Sequence, residues 1–243
     1  WPEGTTYRDP ITDIYTGQVF DYISQNMDAP LIAQGVSQRD GRYHNTAVLW
    51  QAGQGALDYY DKKHPVPFGE YIPDRAFWRP FAPDLIDLIQ REYTPGTTDN
   101  VFDVNGVIVG INICFDIVDD QILTESVEQG AQVIFASSNN ADFGRTDESA
   151  QQLAIARIRA IELGRSVVNI STVGISAIIA PDGSITQQLP WYEPGAMIDD
   201  VALSTAITPA VLVGRQFEWF VSALALAALV IAGAAQRKPR HPR

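Results

Sequence analysis

The chain has 243 residues, 46% of them hydrophobic, enough for one sizeable core or a core with an appendage. Its formal charge is −12, and four of its 17 basic residues sit in the last eight, so residues 1–235 carry 13 basic against 29 acidic groups, a net of −16. That acidic body excludes nucleic acid as a partner, since phosphate binding needs a basic footprint. The single cysteine excludes an internal disulfide, and one cysteine with three histidines leaves too few ligands for a zinc site.

The sequence opens on Trp1-Pro2-Glu3-Gly4, read as the end of an element whose beginning belongs to a longer precursor. Residues 12–26 place Ile14, Tyr15, Val19, Phe20, Tyr22 and Ile23 at helical spacing. A short strand is expected over 30–35, a turn at Asp40-Gly41, a strand over 43–51, a turn over 52–55 and a strand over 57–62. Residues 64–73 hold three prolines and a glycine, which forces a stiff extended loop. A short helix is expected over 84–91, a turn at Thr94-Pro95-Gly96, a strand over 100–104 and a hairpin at Asn105-Gly106.

The run 107–113 is nearly all apolar and β-branched, the pattern of a strand buried on both faces. It ends in Cys114, followed by Asp116, Asp119 and Asp120 at the start of a helix expected over 120–129. A thiol at such a strand-to-helix turn sits beside free N–H groups that stabilise a thiolate and an oxyanion. Alternation then continues: a strand over 132–136, a polar loop over 137–144, a helix over 148–164 stopped by Gly164, and strands over 166–171 and 175–180. Asn169-Ile170-Ser171 matches a glycosylation acceptor but falls on a buried strand, so it is discounted. Mixed strands and helices of this kind make an α/β sheet protein.

Residues 219–235 are uncharged and apolar, flanked by Trp219 and the basic tail, and read as a transmembrane helix. The expected organisation is a catalytic domain over 1–210, a linker over 211–218, the membrane helix over 219–235 and a basic cytoplasmic tail over 236–243, with the acidic domain on the extracytoplasmic side.

A thiol nucleophile needs a base and a positive group at the oxyanion. His44, His64 and His241 form no convincing Cys–His arrangement by sequence, which leaves carboxylates and lysines in stiff strand-end contexts: Glu3, Lys62 and Cys114. A Glu, a Lys and a Cys in this order, each at a strand end, resembles the nitrilase, or carbon–nitrogen hydrolase, superfamily. Within it, Tyr-Asp-Lys-Lys-His-Pro-Val-Pro-Phe-Gly-Glu-Tyr-Ile-Pro at 60–73 is similar to the lysine segment of the apolipoprotein N-acyltransferases. Trp1-Pro2-Glu3, Thr94-Pro95-Gly96, the loop 138–144, Arg159-Ala160-Ile161-Glu162 and Pro181-Asp182-Gly183 fall where that family has comparable stretches. Phe115 and Asp116 stand where the family more often has Tyr and Glu, and Asn140 and Asp142 also depart from its loop pattern.

The resemblance implies an α-β-β-α sandwich truncated at its first strand and preceded in the family by membrane helices, followed here by one C-terminal transmembrane helix. It implies Cys114 as nucleophile, Glu3 as base, and Lys62 with the Phe115 N–H as oxyanion donors. Glu70 is expected to orient Lys62 or satisfy loop N–H groups, Asp116 to support the site or cap the helix, and Asn139 to line the pocket; Lys63 is expected to be solvated. The implied reaction moves an acyl chain from a membrane phospholipid, through a thioester, to the N-terminal amine of a diacylglyceryl-cysteine lipoprotein at the bacterial cytoplasmic membrane. It calls for no cofactor and no metal. Two other readings stay open: a small-amide or nitrile hydrolase using the same three residues, and a non-catalytic extracytoplasmic module.

Overall fold

A computed structural model describes residues 1–236; residues 237–243, most of the basic tail, lie outside the described residues. Its frame is two β-sheets packed face to face with helices outside them. Helix α1 (Ile14–Met27) starts where the Asp13 carboxylate accepts the Thr16 N–H, and stops at Asp28, which adopts the left-handed conformation. Strands β1 (Leu31–Arg39), β2 (Arg42–Gln51) and β3 (Gly55–Asp61) form an antiparallel sheet in that order. The β1–β2 turn at Asp40-Gly41 has positive φ at both residues, the conformation a two-residue hairpin needs. Strand β1 runs four residues past its expected end at 35, because its pairing with β2 continues to Arg39 opposite Arg42.

After β3 come two four-residue helices, α2 (Arg75–Trp78) and α3 (Pro83–Ile86). The first was not expected, and the second is shorter than the expected 84–91. Strand β4 (Val101–Val104) turns at Asn105-Gly106 into β5 (Val107–Ile113). A 3-10 turn over Cys114–Val118 leads to α4 (Asp120–Glu128). Strand β6 (Val133–Ser138), helix α5 (Glu148–Leu163) and strand β7 (Ser166–Ser171) follow, with Gly164 closing α5 at φ 62°. Strands β8 (Ser176–Ile179) and β9 (Ile185–Leu189) complete a six-stranded sheet ordered β4 to β9, parallel across β5, β6 and β7 and antiparallel elsewhere.

Three apolar layers hold the stack. Ala47, Leu49, Tyr60, Phe102, Ile111 and Ile113 fill the space between the sheets. Phe20, Leu31, Val48 and Trp50 pack α1 onto the small sheet. Leu123, Val127, Ile134, Leu153, Ala156 and Val167 pack α4 and α5 onto the large one. Each fully buried aliphatic side chain contributes about 1.5–3 kcal/mol. Gly110 on β5 permits the α4 contact, since a Cβ there would come within 2.6 Å of the Ile134 side chain and 3.2 Å of Ser126.

The chain leaves this sandwich along 190–208. Arg165, 1% exposed, donates to the carbonyls of Ala131 and Ala206 and to Ser204, fixing that stretch to the sheet. Helix α6 (Pro209–Gln236) then runs with one non-helical residue, Gly214. Residues 211–218, expected as a linker, are thus helical on both sides of Gly214, and Val211 docks in the core layer beneath α5.

Candidate active site

The three parallel strands end side by side, and the residue after each turns to one rim: Cys114 after β5, Asn139 after β6, Thr172 after β7. Strand β3 of the other sheet ends at the same rim with Lys62, whose N–H still pairs with the Asn45 carbonyl of β2 at 2.9 Å. Residues 1–6 run beside β1, where Thr6 donates to the Gln34 carbonyl, and carry Glu3 to the rim.

Glu3 is held from both sheets. One carboxylate oxygen accepts the Asn45 amide at 2.7 Å, the other the Asn139 N–H at 2.8 Å, and the Thr172 hydroxyl donates to the Glu3 carbonyl at 2.8 Å. Lys62, 1% exposed, places its Nζ 2.6 Å from Glu70. Glu70 also accepts the Val66 N–H at 2.7 Å and the Asn45 amide at 3.0 Å, so it both orients Lys62 and closes the proline-rich loop. The structure therefore brings Glu3, Lys62, Glu70 and Cys114 together, close enough that each shifts the protonation of others.

Burial raises the Glu3 carboxyl above its ordinary range, against Lys62 and Asn45, which pull it down. Burial pulls Lys62 down, but the facing Cys114, Glu70 and Glu3 outweigh it and keep the ammonium charged. The thiol is pushed up to about 12, by burial first and by Glu3 next, with Lys62 opposing. Lys62 lowers the thiol, but desolvation and two carboxylates together exceed that one ammonium. Glu3 accepts a hydrogen bond at each carboxyl oxygen and lies beside the thiol and the Lys62 ammonium. That set can move one proton from sulfur to Glu3 as sulfur attacks.

Cys114 has φ +52°, a left-handed conformation that side chains rarely adopt. Phe115 is half exposed, and its N–H lies in the first turn of a helical segment, where such groups have no intrahelical acceptor. Asp116 is fully buried and accepts the Tyr60 hydroxyl at 2.9 Å and the Ile113 N–H at 3.0 Å. It braces the turn; Asp119, not Asp116, caps α4. Burial pushes the Asp116 carboxyl up to about 6. Asn139 serves through its backbone N–H on Glu3, while its side chain accepts the Ala141 N–H.

Lys63, expected to be solvated, pairs with Glu125 at 3.0 Å. His64 bonds Asp119, and His44 bonds the Thr94 carbonyl. The residues that sequence reasoning missed are Asn45, Tyr60 and Thr172. Asn45 lies between His44 and Thr46 in the polar first half of β2, where nothing sets it apart from its neighbours. Among the described residues, no group of three or more His, Cys, Asp or Glu side chains is placed to hold a metal ion. A cleft of about 750 Å³ between α4, α5 and the start of α6 lies away from this chemistry.

The carbon–nitrogen hydrolase family model matches residues 10–208, a stretch that contains Lys62, Glu70 and Cys114 but begins after Glu3. The chain is 36% identical to the apolipoprotein N-acyltransferase of Mycolicibacterium smegmatis, over 97% of this chain and 39% of that protein. It is 29% identical to the apolipoprotein N-acyltransferase of Shewanella oneidensis, over 88% of this chain and 44% of that one. The chain thus spans about two-fifths of the length of these relatives. Among solved structures, Saccharomyces cerevisiae Nit3 superposes with a TM-score of 0.58 at 16% identity, over 79% of this chain and 66% of that one. An amidase from Nesterenkonia sp. superposes with a TM-score of 0.56 at 17% identity, over 74% and 64%. These two likenesses concern the fold.

Proposed function

This chain belongs to the carbon–nitrogen hydrolase family, and we propose that it is the catalytic part of a membrane N-acyltransferase. The donor is a membrane phospholipid, and the acceptor is the N-terminal amine of a diacylglyceryl-cysteine lipoprotein. The observation that carries this reading is a buried Glu3–Lys62–Glu70–Cys114 cluster in a domain that continues into a long apolar helix, exposed over most of its length.

Cys114 Sγ attacks the ester carbonyl carbon while Glu3 takes the thiol proton. The negative charge forming on the carbonyl oxygen meets the Lys62 ammonium and the Phe115 N–H. As the carbon–oxygen bond breaks, Glu3 returns its proton to the leaving lysophospholipid oxygen, and the acyl chain stays on sulfur. The acceptor amine then attacks the thioester, Glu3 takes its proton, and that proton passes to the departing sulfur. The thioester keeps the acyl group activated, so the sequence balances without an external energy source. Glu70 holds Lys62 throughout.

Exposed aromatics support a lipid setting. Phe68, Phe77, Trp78 and Phe81 lie on the excursion that follows Lys62, and Phe115 and Phe143 sit beside the nucleophile and Asn139. Residues 219–235 are the membrane crossing in this reading; this stretch lies wholly in the helix after Gly214 and reaches about 26 Å, the short end of what spans a bilayer core. The catalytic domain is placed on the extracytoplasmic face and the basic tail in the cytoplasm. The fold likeness to amidases supports a second reading, hydrolysis of a small amide by the same groups.

The two are separated by giving the full-length protein phospholipid vesicles and a diacylglyceryl-cysteine peptide with a free amine. Appearance of the N-acylated peptide, abolished in Cys114→Ser, supports transfer. No acylated peptide, together with ammonia released from simple amides, supports the hydrolase.

A further inference from the structure

Two strained or charged segments must be held in register for this site to exist: the turn carrying Cys114 and the strand end carrying Lys62. A chain of three hydrogen bonds, two of them buried, joins them. The Lys63 N–H donates to the Tyr60 hydroxyl oxygen at 3.3 Å. The Tyr60 hydroxyl donates to Asp116 Oδ2 at 2.9 Å, and the Ile113 N–H donates to the same oxygen at 3.0 Å. Lys62 lies between Tyr60 and Lys63, and Cys114 lies between Ile113 and Asp116. Both functional side chains are therefore bracketed by one set of bonds.

Tyr60 and Asp116 are both fully buried. The other Asp116 oxygen is buried and takes no hydrogen bond among the described residues. The carboxylate thus depends on Tyr60 and Ile113 alone. Its grip on the Ile113 N–H closes a four-residue loop around Cys114, whose backbone stays in the left-handed region at φ +52°. A conformation that costs free energy persists only where its surroundings determine it. The charged groups acting on this pair are Lys62 and Glu70 on Asp116, and Asp119 on Tyr60. The other links between the two segments, Lys63–Glu125 and His64–Asp119, lie nearer solvent, where ion pairs are weak.

We propose that Tyr60 is a positioning residue of the nucleophile turn: acting through Asp116, its hydroxyl holds Cys114 in its left-handed conformation and ties that turn to the strand end bearing Lys62. This rests on reading Cys114 as the nucleophile, but not on the identity of the acyl donor or acceptor.

The test uses the full-length protein and two readouts, alkylation of Cys114 by iodoacetamide and acyl transfer from phospholipid. Tyr60→Phe keeps the ring and removes only the hydroxyl. It is expected to slow alkylation roughly tenfold, and to lower kcat similarly with KM for phospholipid unchanged, as for loss of one buried charge-assisted bond. Asp116→Asn is expected to slow both, and the double variant to be no slower than Asp116→Asn alone. Wild-type alkylation in Tyr60→Phe, or losses that multiply in the double variant, overturns the proposal. Should Tyr60→Phe not fold, fluorotyrosine at position 60 keeps the size and makes the phenol more acidic. A displaced pH profile for alkylation then supports the proposal, and a wild-type profile overturns it. Tyr60-dependent alkylation without any acyl transfer supports this proposal while sinking the acyltransferase reading.

Discussion

At the scale of single residues, one amide does the work of two. Asn45 donates to both Glu3 and Glu70, and so holds in place the two carboxylates that act on Lys62. Asn45→Ala removes both bonds and lets the carboxylates compete for the ammonium. We expect kcat to fall about 100-fold with the fold intact, the size seen when a general base is misplaced; circular dichroism and turnover measured together check this. The pH dependence has a definite sign. In the proposed reaction Glu3 must be ionised to accept the thiol proton, and burial has raised its pKa. Activity is therefore expected to fall with decreasing pH well before an ordinary glutamate would titrate. A thiol pushed up to about 12 also predicts that Cys114 alkylation still climbs at about pH 10, where an unperturbed cysteine would have levelled off. Asp116 works oppositely on stability. Its folded pKa of about 6 lies above the ordinary 3.8, so its contribution is full below about pH 4 and is lost as pH rises through 6. Asp116→Asn is expected to lose stability relative to wild type at pH 4, and to recover part of that difference by pH 7, in denaturant melts.

At the scale of elements, the site depends on how strand ends are placed. Gly96 passes so close to the end of β3 that a Cβ there would collide with the Asp61 backbone, and its N–H bonds the Lys62 carbonyl at 2.9 Å. Gly96→Ala is expected to destabilise the protein by about 1–3 kcal/mol and to displace Lys62, with a matching loss of turnover; a thermal melt beside the activity assay checks both. The long periodic elements were legible in the sequence. The apolar β5 run, the type of hairpin at Asn105-Gly106 and the Gly164 stop of α5 each follow from local chemistry. Strand β9 was not legible, because an edge strand reading Ile-Thr-Gln-Gln-Leu buries nothing fully and its three central polar residues break the apolar alternation. The four-residue helices α2 and α3 lie in a proline-rich excursion where tertiary contacts, such as Arg75 with the Ile86 and Ile89 carbonyls, outweigh propensity. At the site, Glu3, Lys62 and Cys114 could be singled out as residue types at strand ends. Asn45, Tyr60 and Thr172 could not, since their partners lie 42, 56 and 169 residues away.

At the scale of the whole molecule, a strongly acidic domain leads into an apolar helix whose start joins the core through Val211. Arg165 fixes the exit path from the sheet side, so the helix leaves from a determined point. For the 243-residue chain by itself, deleting residues from 209 onward is expected to reduce its retention on lipid vesicles in a flotation assay; undiminished retention would assign the membrane contact of this stretch to the aromatic excursion.

The central claim, that sulfur carries the acyl group, is tested most directly by the intact mass of the full-length protein after incubation with a phospholipid of one defined acyl chain and no acceptor. The account predicts a mass increase equal to that acyl group, mapped to Cys114, lost on hydroxylamine treatment and absent in Glu3→Gln. An unchanged mass under conditions where acylated peptide is still produced would contradict it.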